Sequence, residues 1–176
     1  RSGIATKADL SQAPYKITID DEKVIEADTV IISTGATAKY LGLEDEQKYA
    51  GMGVSACATC DGFFYRKKVV AVVGGGDTAC EEAIYLAGLA SKVYLIVRKP
   101  YLRASQIMQE RVMSNPKIEV LFEHNTAEVL GDDDGVTGVR VRKNDGEEYE
   151  IPISGFFLAI GHHPNTELVA GKLALD

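Results

Sequence analysis

Two cysteines separated by two residues, Cys57 and Cys60, are the side chains of this sequence best suited to redox chemistry. A Cys-x-x-Cys pair closes a very small ring, which keeps both sulfurs close enough to form and break their bond reversibly, and such pairs often have lowered thiol pKa values. Asp61 follows directly and could donate a proton when a thiolate is turned over, although a solvated aspartate in a turn is an equally simple interpretation. We expect these three residues to be catalytic.

A glycine-rich turn follows the cysteine pair and lies between a predicted buried strand and a predicted helix. Its residues are Gly74, Gly75, Gly76, Asp77, Thr78 and Ala79. They match the pattern Gly-x-Gly-x-x-Gly/Ala, in which the first glycine allows a tight bend, the second lets the backbone approach a pyrophosphate, and the small last residue lets the helix pack on the strand. The free N–H groups at the helix N-terminus would point at the phosphates. The turn therefore predicts a dinucleotide site, with a purely structural glycine turn as the alternative.

Basic residues after the second strand of this unit indicate which dinucleotide binds. An NAD site usually has an acidic residue about twenty residues beyond the turn, where it holds the ribose 2′-hydroxyl. This sequence has Arg98 and Lys99 there, and Arg103 follows shortly afterwards. Cations at this place can clasp a 2′-phosphate, which a carboxylate would repel. We therefore predict NADPH rather than NADH as the cofactor.

Composition restricts the partners and the location. The chain has a formal net charge of -7 and a pI of about 5.0, which argues against a nucleic-acid partner because phosphate contact needs a basic face. It contains neither a run of about 18 apolar residues nor a basic region followed by an apolar one, so neither a membrane span nor a signal peptide is indicated. A cytoplasmic location without membrane association is the default expectation.

The cysteine pair has two alternative interpretations, a zinc half-site and buried structural thiols. Zinc needs about four ligands, and the remaining candidates are Cys80 and the histidines, with no second Cys-x-x-Cys. We therefore expect no metal site. Cys80 shares a helical face with small apolar residues and is predicted to lie in the core. We interpret His162 and His163 as structural or hinge residues, and we expect His124 to be exposed and without a partner.

Hydrophobic periodicity predicts an α/β fold with a Rossmann-like parallel sheet. A βαβαβ unit, with the glycine turn at its first corner, is predicted at Val69–Val73, Asp77–Ala90, Val93–Val97, Ala104–Met113 and Ile118–Phe122. A β-meander and a final buried strand are predicted to follow, at 126–130, 136–142, 147–153 and 155–161. Before the βαβαβ unit, the pattern predicts strands at 14–19, 24–27 and 29–35 and a linker at 36–50.

Several segments together closely resemble the low-molecular-weight bacterial thioredoxin reductases. They lie around the cysteine pair, around the glycine turn, at the basic residues, and in the Gly-His-x-Pro-Asn-Thr sequence, at 56–65, 73–83, 98–103 and 161–166. The stretch at 32–36 is similar to the segment where the FAD domain of that family ends. The resemblance covers essentially the whole chain. It implies the NADPH domain of a two-dinucleotide-binding-domain flavoprotein, with residues 1–39 from the FAD domain, 40–168 as the NADPH-binding domain, and 169–176 as the return to the FAD domain.

The resemblance also implies an activity. In that family, electrons pass from NADPH to FAD, from FAD to the Cys-x-x-Cys disulfide, and from the dithiol to the partner protein, oxidised thioredoxin. The aspartate after the second cysteine, here Asp61, serves as the acid. The intact protein is expected to be a homodimer. Because the nicotinamide and the dithiol would lie on one domain and the flavin on another, one domain is expected to swing at the crossings near 34–38 and 163–167.

Two departures from the family, and three alternatives, accompany this interpretation. The basic motif commonly reads His-Arg-Arg, and here Val97 replaces the histidine. The FAD-binding glycine motif is absent, so the sequence is interpreted as a fragment that would not hold flavin alone.

The flavoprotein subunit of an alkyl hydroperoxide reductase system is the first alternative. It uses NADH, and Arg98 and Lys99 argue against NADH. A ferredoxin-NADP reductase would lack the cysteine pair. A non-catalytic NADP-binding redox sensor remains the alternative outside the enzymes.

Overall fold

The computed structural model describes residues 2–175, which divide into two compact units. One unit contains residues 2–37 and 162–175, and the other contains residues 38–161. The sequence predicts the changes of domain after residues 39 and 168, whereas the structural division falls after residues 37 and 161. No helix within the described residues is long and apolar enough to cross a membrane.

The elements of both units are numbered in chain order. The strands are β1 (Ala5–Asp9), β2 (Tyr15–Ile19), β3 (Lys23–Ala27), β4 (Ala36–Ala38), β5 (Val54–Ser55), β6 (Val69–Val73), β7 (Lys92–Val97), β8 (Ile118–Phe122), β9 (His124–Asp132), β10 (Gly135–Lys143), β11 (Glu148–Pro152), β12 (Gly155–Leu158) and β13 (His162–Pro164). The α-helices are α1 (Glu44–Lys48), α2 (Ala58–Asp61), α3 (Asp77–Ala87) and α4 (Gln106–Met113). Short 3-10 helices lie at Gly62–Tyr65 and Glu167–Val169.

The first unit is built on a small antiparallel sheet. Its strands lie in the order β1-β2-β3, with Ile17 of β2 opposite Ala8 of β1 and Ile25 of β3. The strand predicted at 29–35 is wrong. A strand needs a ladder of hydrogen bonds to a neighbour, and no strand of the described residues pairs with this segment; the carbonyl oxygen of Gly35 accepts from the N–H of Asn165 at 3.0 Å, and Ile31 is 92% exposed. The predicted linker at 36–50 also contains regular structure, namely β4, which pairs with β13, and α1.

The second unit contains a five-stranded parallel sheet in the order β5-β12-β6-β7-β8. The helices α3 and α4 pack on one of its faces, and the antiparallel meander of β9, β10 and β11 packs on the other. Strand β6 is apolar throughout because it faces both layers: Val70 and Val72 belong to the core with the helices, and Ala71 and Val73 to the core with the meander. The predicted α/β fold, a parallel βαβαβ sheet with a β-meander, is confirmed.

Small residues let α3 lie close to the sheet. Ala79, Cys80 and Ala83 are fully buried beneath it, so the prediction that Cys80 lies in the core is confirmed. At the other end of the helix, the ammonium group of Lys117 donates to the carbonyl oxygens of Ala87 and Ala90, each at 3.0 Å. A cation at this end also opposes the negative pole of the helix dipole. Lys117 therefore stabilises the C-terminal end of α3.

Candidate functional site

The glycine turn joins the end of β6 to the start of α3, at the carboxyl edge of the parallel sheet. Gly74 has a φ of +146°, and a Cβ added to it would lie 2.3 Å from the carbonyl oxygen of Ala159 and 2.8 Å from the Cβ of Ala79. A Cβ added to Gly76 would meet nothing within 4 Å. The first glycine is therefore required by the fold, whereas the third leaves open space in which a ligand can approach the backbone.

A cleft of about 400 Å³ opens beside this turn. It lies at the point where the strand order reverses, since β7 and β8 continue to one side of β6 and β12 lies on the other side. Ligands of open parallel sheets bind outside the carboxyl ends of the strands at such a reversal. The cleft is lined by the predicted cofactor residues Gly74, Gly75, Gly76, Thr78, Arg98, Lys99 and Arg103, among others.

The basic residues reach this cleft from the segment that follows β7. Arg98 and Lys99 come directly after the strand, and all three cations, Arg103 included, are exposed. The backbone N–H of Arg103 donates to the carbonyl oxygen of Gly75 at 2.6 Å, which ties the basic segment to the glycine turn. Positive side chains and the N-terminus of a helix therefore line one cleft, an arrangement that suits a ligand with several phosphates.

Asp77, predicted to bind the cofactor, makes a different contact. Its carboxylate accepts hydrogen bonds from the backbone N–H of Ser105 at 2.9 Å and from the Ser105 hydroxyl at 2.8 Å. These bonds hold the pKa of Asp77 below its ordinary value. Ser105 is the residue before α4, so Asp77 joins the beginning of α3 to the beginning of α4. The residues that line the cleft include Thr78 but not Asp77.

The cysteine pair lies at a second place on the same unit. A disulfide joins Cys57 and Cys60, whose Cα atoms are 5.3 Å apart. The hydroxyl of Ser55, at the end of β5, accepts a hydrogen bond from the N–H of Cys57 at 3.0 Å, and the sulfur of Cys57 accepts one from the N–H of Cys60 at 3.2 Å. Cys57 thus caps α2. The strand β5 and the short helix α2 together present the disulfide, with Cys60 exposed.

Asp61 ends α2 and is half-buried. It lines a depression of about 470 Å³ together with Phe64 and Tyr65. Burial raises the pKa of the Tyr65 phenol, and the negative charge of Asp61 raises it further. Beside the disulfide, Phe63 and Phe64 are 62% and 69% exposed. The surroundings of the cysteine pair therefore combine a carboxylate with exposed aromatic rings.

His124 is a titratable residue of the cleft lining that the sequence did not identify. The expectation that it is exposed and without a partner is wrong. Only 9% of His124 is exposed, it lines the cleft, and its ring nitrogens contact the carbonyl oxygen of Phe122 at 2.6 Å and the hydroxyl of Tyr149 at 2.9 Å. Phe122, at the end of β8, is a near neighbour in sequence, but Tyr149 comes from β11, 25 residues away, so no local pattern signals that contact.

The remaining candidate ligands give no metal centre in the part of the chain that the structure describes. No group of three or more His, Cys, Asp or Glu side chains is placed to hold an ion there. The sulfurs of Cys57 and Cys60 are bonded to each other, and Cys80 is buried and free. His162 and His163 are exposed, and the ring of His163 lies 3.6 Å from the carboxylate of Glu167.

Comparison with known families connects the dinucleotide cleft to the disulfide. The model of the pyridine nucleotide-disulphide oxidoreductases matches residues 3–176. The chain belongs to this family. The resemblance to thioredoxin reductases that the sequence shows is confirmed by individual relatives.

Two curated relatives are equally similar to this chain by sequence identity. It is 51% identical over 172 residues to the thioredoxin reductase of Vibrio cholerae, a match that covers 95% of this chain and 54% of that protein. It is also 51% identical over 170 residues to the glucosaminate ammonia-lyase of Pseudomonas fluorescens, with 95% and 53% covered. The chain therefore spans about half the length of the curated relatives it matches.

Solved structures agree with the sequence comparison. The thioredoxin reductase from Giardia duodenalis superimposes with a TM-score of 0.90 at 38% sequence identity, covering 100% of this chain and 58% of that one. The fold of the chain is thus similar to that of this thioredoxin reductase.

Proposed function

We propose that this chain carries the NADPH-binding and dithiol parts of a thioredoxin-disulfide reductase. One observation supports this best: a single compact unit carries both the Cys57–Cys60 disulfide and a cleft that is lined by the glycine turn and basic residues. Such a cleft suits a phosphorylated dinucleotide. The thioredoxin reductases among the relatives add support from outside the chain. Because the chain spans about half of those proteins, the activity is proposed for the intact protein.

The cleft residues would have separate roles in binding. The N–H groups at the start of α3, including that of Thr78, would donate to the pyrophosphate, and the open space above Gly76 would admit it. Arg98, Lys99 and Arg103 would hold the 2′-phosphate. When bound, NADPH supplies a hydride, and FAD in the intact protein relays the electron pair to the disulfide; no residue of this chain is assigned to FAD.

Reduction of the disulfide takes two electrons and two protons and gives the thiols of Cys57 and Cys60. The N–H of Cys60, which already donates to the sulfur of Cys57, would stabilise negative charge on that sulfur after the bond breaks. Asp61 would deliver a proton to the departing thiolate. The dithiol would then attack the disulfide of the substrate protein through a mixed disulfide, which resolves as the Cys57–Cys60 bond forms again.

The partner proposed for this dithiol is thioredoxin or a similar small redox protein. The proposal includes a homodimer for the intact protein, a cytoplasmic location, and no nucleic-acid or membrane partner. These points are supported by the family resemblance and by the acidic composition, with a net charge of -7.

Calorimetric titration of this chain with NADPH and with NADH tests the cofactor part of the proposal. We expect NADPH to bind more tightly, and we expect the Arg98→Ala/Lys99→Ala variant to lose about 100-fold in NADPH affinity, as two hydrogen bonds between charged groups would predict, with little change for NADH. Arg66→Ala/Lys68→Ala is the matched control, because these cations are exposed and lie outside the cleft lining. Equal affinity for the two dinucleotides in the wild-type chain would refute the assignment of the cleft to NADPH.

A further inference from the structure

His124 is enclosed by fixed partners on both sides of its ring. It begins β9, directly after the sharp turn at Glu123, whose φ is +60°. The turn is itself held, because the N–H of Glu123 donates to the carbonyl oxygen of Lys99 at 3.3 Å and its own carbonyl oxygen accepts from the N–H of Asn144 at 2.9 Å. The position of His124 in the cleft is therefore tied to the basic segment that begins at Arg98.

The two contacts define how the ring carries its protons. The carbonyl oxygen of Phe122 can only accept, so the Nδ1 of His124 carries a hydrogen and donates at 2.6 Å. In the neutral ring, Nε2 then has a lone pair and accepts from the Tyr149 hydroxyl at 2.9 Å. If Nε2 takes a proton from solvent, it becomes a donor, and the Tyr149 oxygen can accept after its own hydrogen rotates away. The ring can thus be protonated while both contacts are retained.

The charges around His124 oppose one another. Lys143 is its register partner on β10 and forms an ion pair with Glu147, and Glu123 precedes it in the chain. Burial raises the pKa of the neighbouring Tyr149, so its phenol stays protonated at neutral pH. Tyr149 also interacts electrostatically with Lys143, Glu119, Glu147 and Tyr94. On the cleft side the charged side chains are those of Arg98, Lys99 and Arg103.

A phosphate bound in the cleft would add a negative charge near His124, and such a charge favours the protonated form of a histidine. We propose that His124 is a specificity-determining residue that takes up a proton when a 2′-phosphorylated dinucleotide binds, and so adds a cation to those of Arg98, Lys99 and Arg103. This inference rests on the proposed NADPH site. It predicts that discrimination between 2′-phosphorylated and unphosphorylated nucleotides increases as the pH falls below neutrality.

The ring of His124 can be observed directly by NMR of the isotopically labelled chain, titrated alone, with 2′,5′-ADP, and with 5′-ADP. We expect 2′,5′-ADP to raise the midpoint of the His124 titration by about one pH unit, the shift that a nearby opposite charge commonly causes, relative to 5′-ADP. Amide shifts of Gly75 and Gly76 report independently whether each nucleotide is bound. Binding of both nucleotides with the same His124 midpoint would overturn the inference and leave the NADPH site intact. Failure of 2′,5′-ADP to bind would overturn both.

Substitutions distinguish an effect of His124 protonation on nucleotide affinity from an effect of its packing. At pH 6.5, His124→Gln should reduce the affinity ratio of 2′,5′-ADP to 5′-ADP about tenfold, and at pH 8.5 it should leave this ratio nearly unchanged. The 2′-phosphate of the ligand also titrates in this pH range, but its effect cancels when wild type and His124→Gln are compared at the same pH, since both bind the same ligand. Tyr149→Phe removes the acceptor for the added proton but keeps the ring, and should reduce the pH-dependent gain. His163→Gln, the same substitution at an exposed histidine outside the cleft lining, should behave as wild type. An equal loss for His124→Gln at both pH values would indicate packing alone and contradict the proposal.

Discussion

Gly74 and Ala159 approach each other so closely that no side chain fits between them. A Cβ on Gly74 would lie 2.3 Å from the carbonyl oxygen of Ala159, which directly follows β12. The contact joins the ends of β6 and β12, the two adjacent strands at which the sheet order reverses and the cleft opens. Gly76, two residues further on, has no such neighbour within 4 Å. The two glycines of this motif therefore differ: the fold requires the first, and the third leaves the open space that we propose for the ligand.

Substitution of the first glycine should mainly affect stability. We expect Gly74→Ala to lower the free energy of unfolding by about 3 kcal/mol or more, because the methyl group overlaps backbone atoms and the φ of +146° disfavours any side chain. Urea denaturation followed by far-UV circular dichroism measures this. Wild-type stability in Gly74→Ala would mean that β6 and β12 can separate without cost.

Substitution of the third glycine should mainly affect binding. Gly76→Ala has room for its methyl group and a φ of -97°, and it changes only the residue that caps α3, so we expect a loss of stability of no more than about 1 kcal/mol. The affinity for NADPH should nevertheless fall at least tenfold, since the methyl group occupies the space proposed for the pyrophosphate. Calorimetry on both glycine variants provides the comparison, and unchanged NADPH affinity in Gly76→Ala would place the pyrophosphate elsewhere.

The sequence predicted the elements whose side chains face two cores. Val69–Val73 and Ile118–Phe122 agree with the structure residue for residue, because a strand covered on both faces is apolar at nearly every position and ends where polar residues begin. The same reasoning failed at 29–35, where a partly apolar run forms no strand and Ile31 is 92% exposed. An apolar run therefore predicts a strand only where a neighbouring strand pairs with it.

Site residues divide in the same way. Contiguous motifs identified the glycine turn and the cysteine pair, whose local geometry depends on near neighbours. His124 was missed because Tyr149 contacts it from another strand. The prediction that Asp77 binds the cofactor stays a prediction, and the hydrogen bonds from Ser105, which is distant in sequence, could not be foreseen. Contacts between distant segments leave no mark in a local pattern, and these contacts decide where both side chains are directed.

Because of the carboxylate of Asp77, the free energy of unfolding should depend on pH in the acid range. Its pKa lies below the ordinary value of 3.8 because Ser105 donates two hydrogen bonds to the charged form. The stabilisation is therefore complete above that ordinary value and is lost as the pH falls through the lower value of the folded state. We expect the stability difference between wild type and Asp77→Asn to be constant from about pH 7 to pH 4 and to shrink below it. Ser105→Ala should move this loss to higher pH; a difference as large at pH 2 as at pH 7 would contradict the assignment.

The exposed rings of Phe63 and Phe64 should contribute to contact with the substrate protein, because exposed aromatic residues beside a reactive group commonly anchor interfaces. After chemical reduction of the chain, we expect Phe63→Ala/Phe64→Ala to slow thiol transfer to oxidised thioredoxin about tenfold. Thiol transfer to oxidised glutathione should keep its rate, because this small disulfide can reach the cysteines without docking on both rings. Trapping of thiols at timed intervals, with mass analysis, measures both reactions. Equal slowing with the two disulfides would show that the rings affect the cysteines themselves and not docking.

The third cysteine should stay unreactive while the chain is folded. Cys80 is fully buried in α3, and burial raises the pKa of its thiol to about 11, so little thiolate forms at pH 8. With the disulfide reduced, iodoacetamide should label two cysteines of the native chain and all three after denaturation. A Cys57→Ser/Cys60→Ser variant isolates the buried thiol and should take no label until it unfolds, which makes its labelling rate a measure of opening at α3. Rapid labelling of this variant under native conditions would show that α3 separates from the sheet readily, and the cleft formed at its N-terminus would then be a transient rather than a standing feature of the fold.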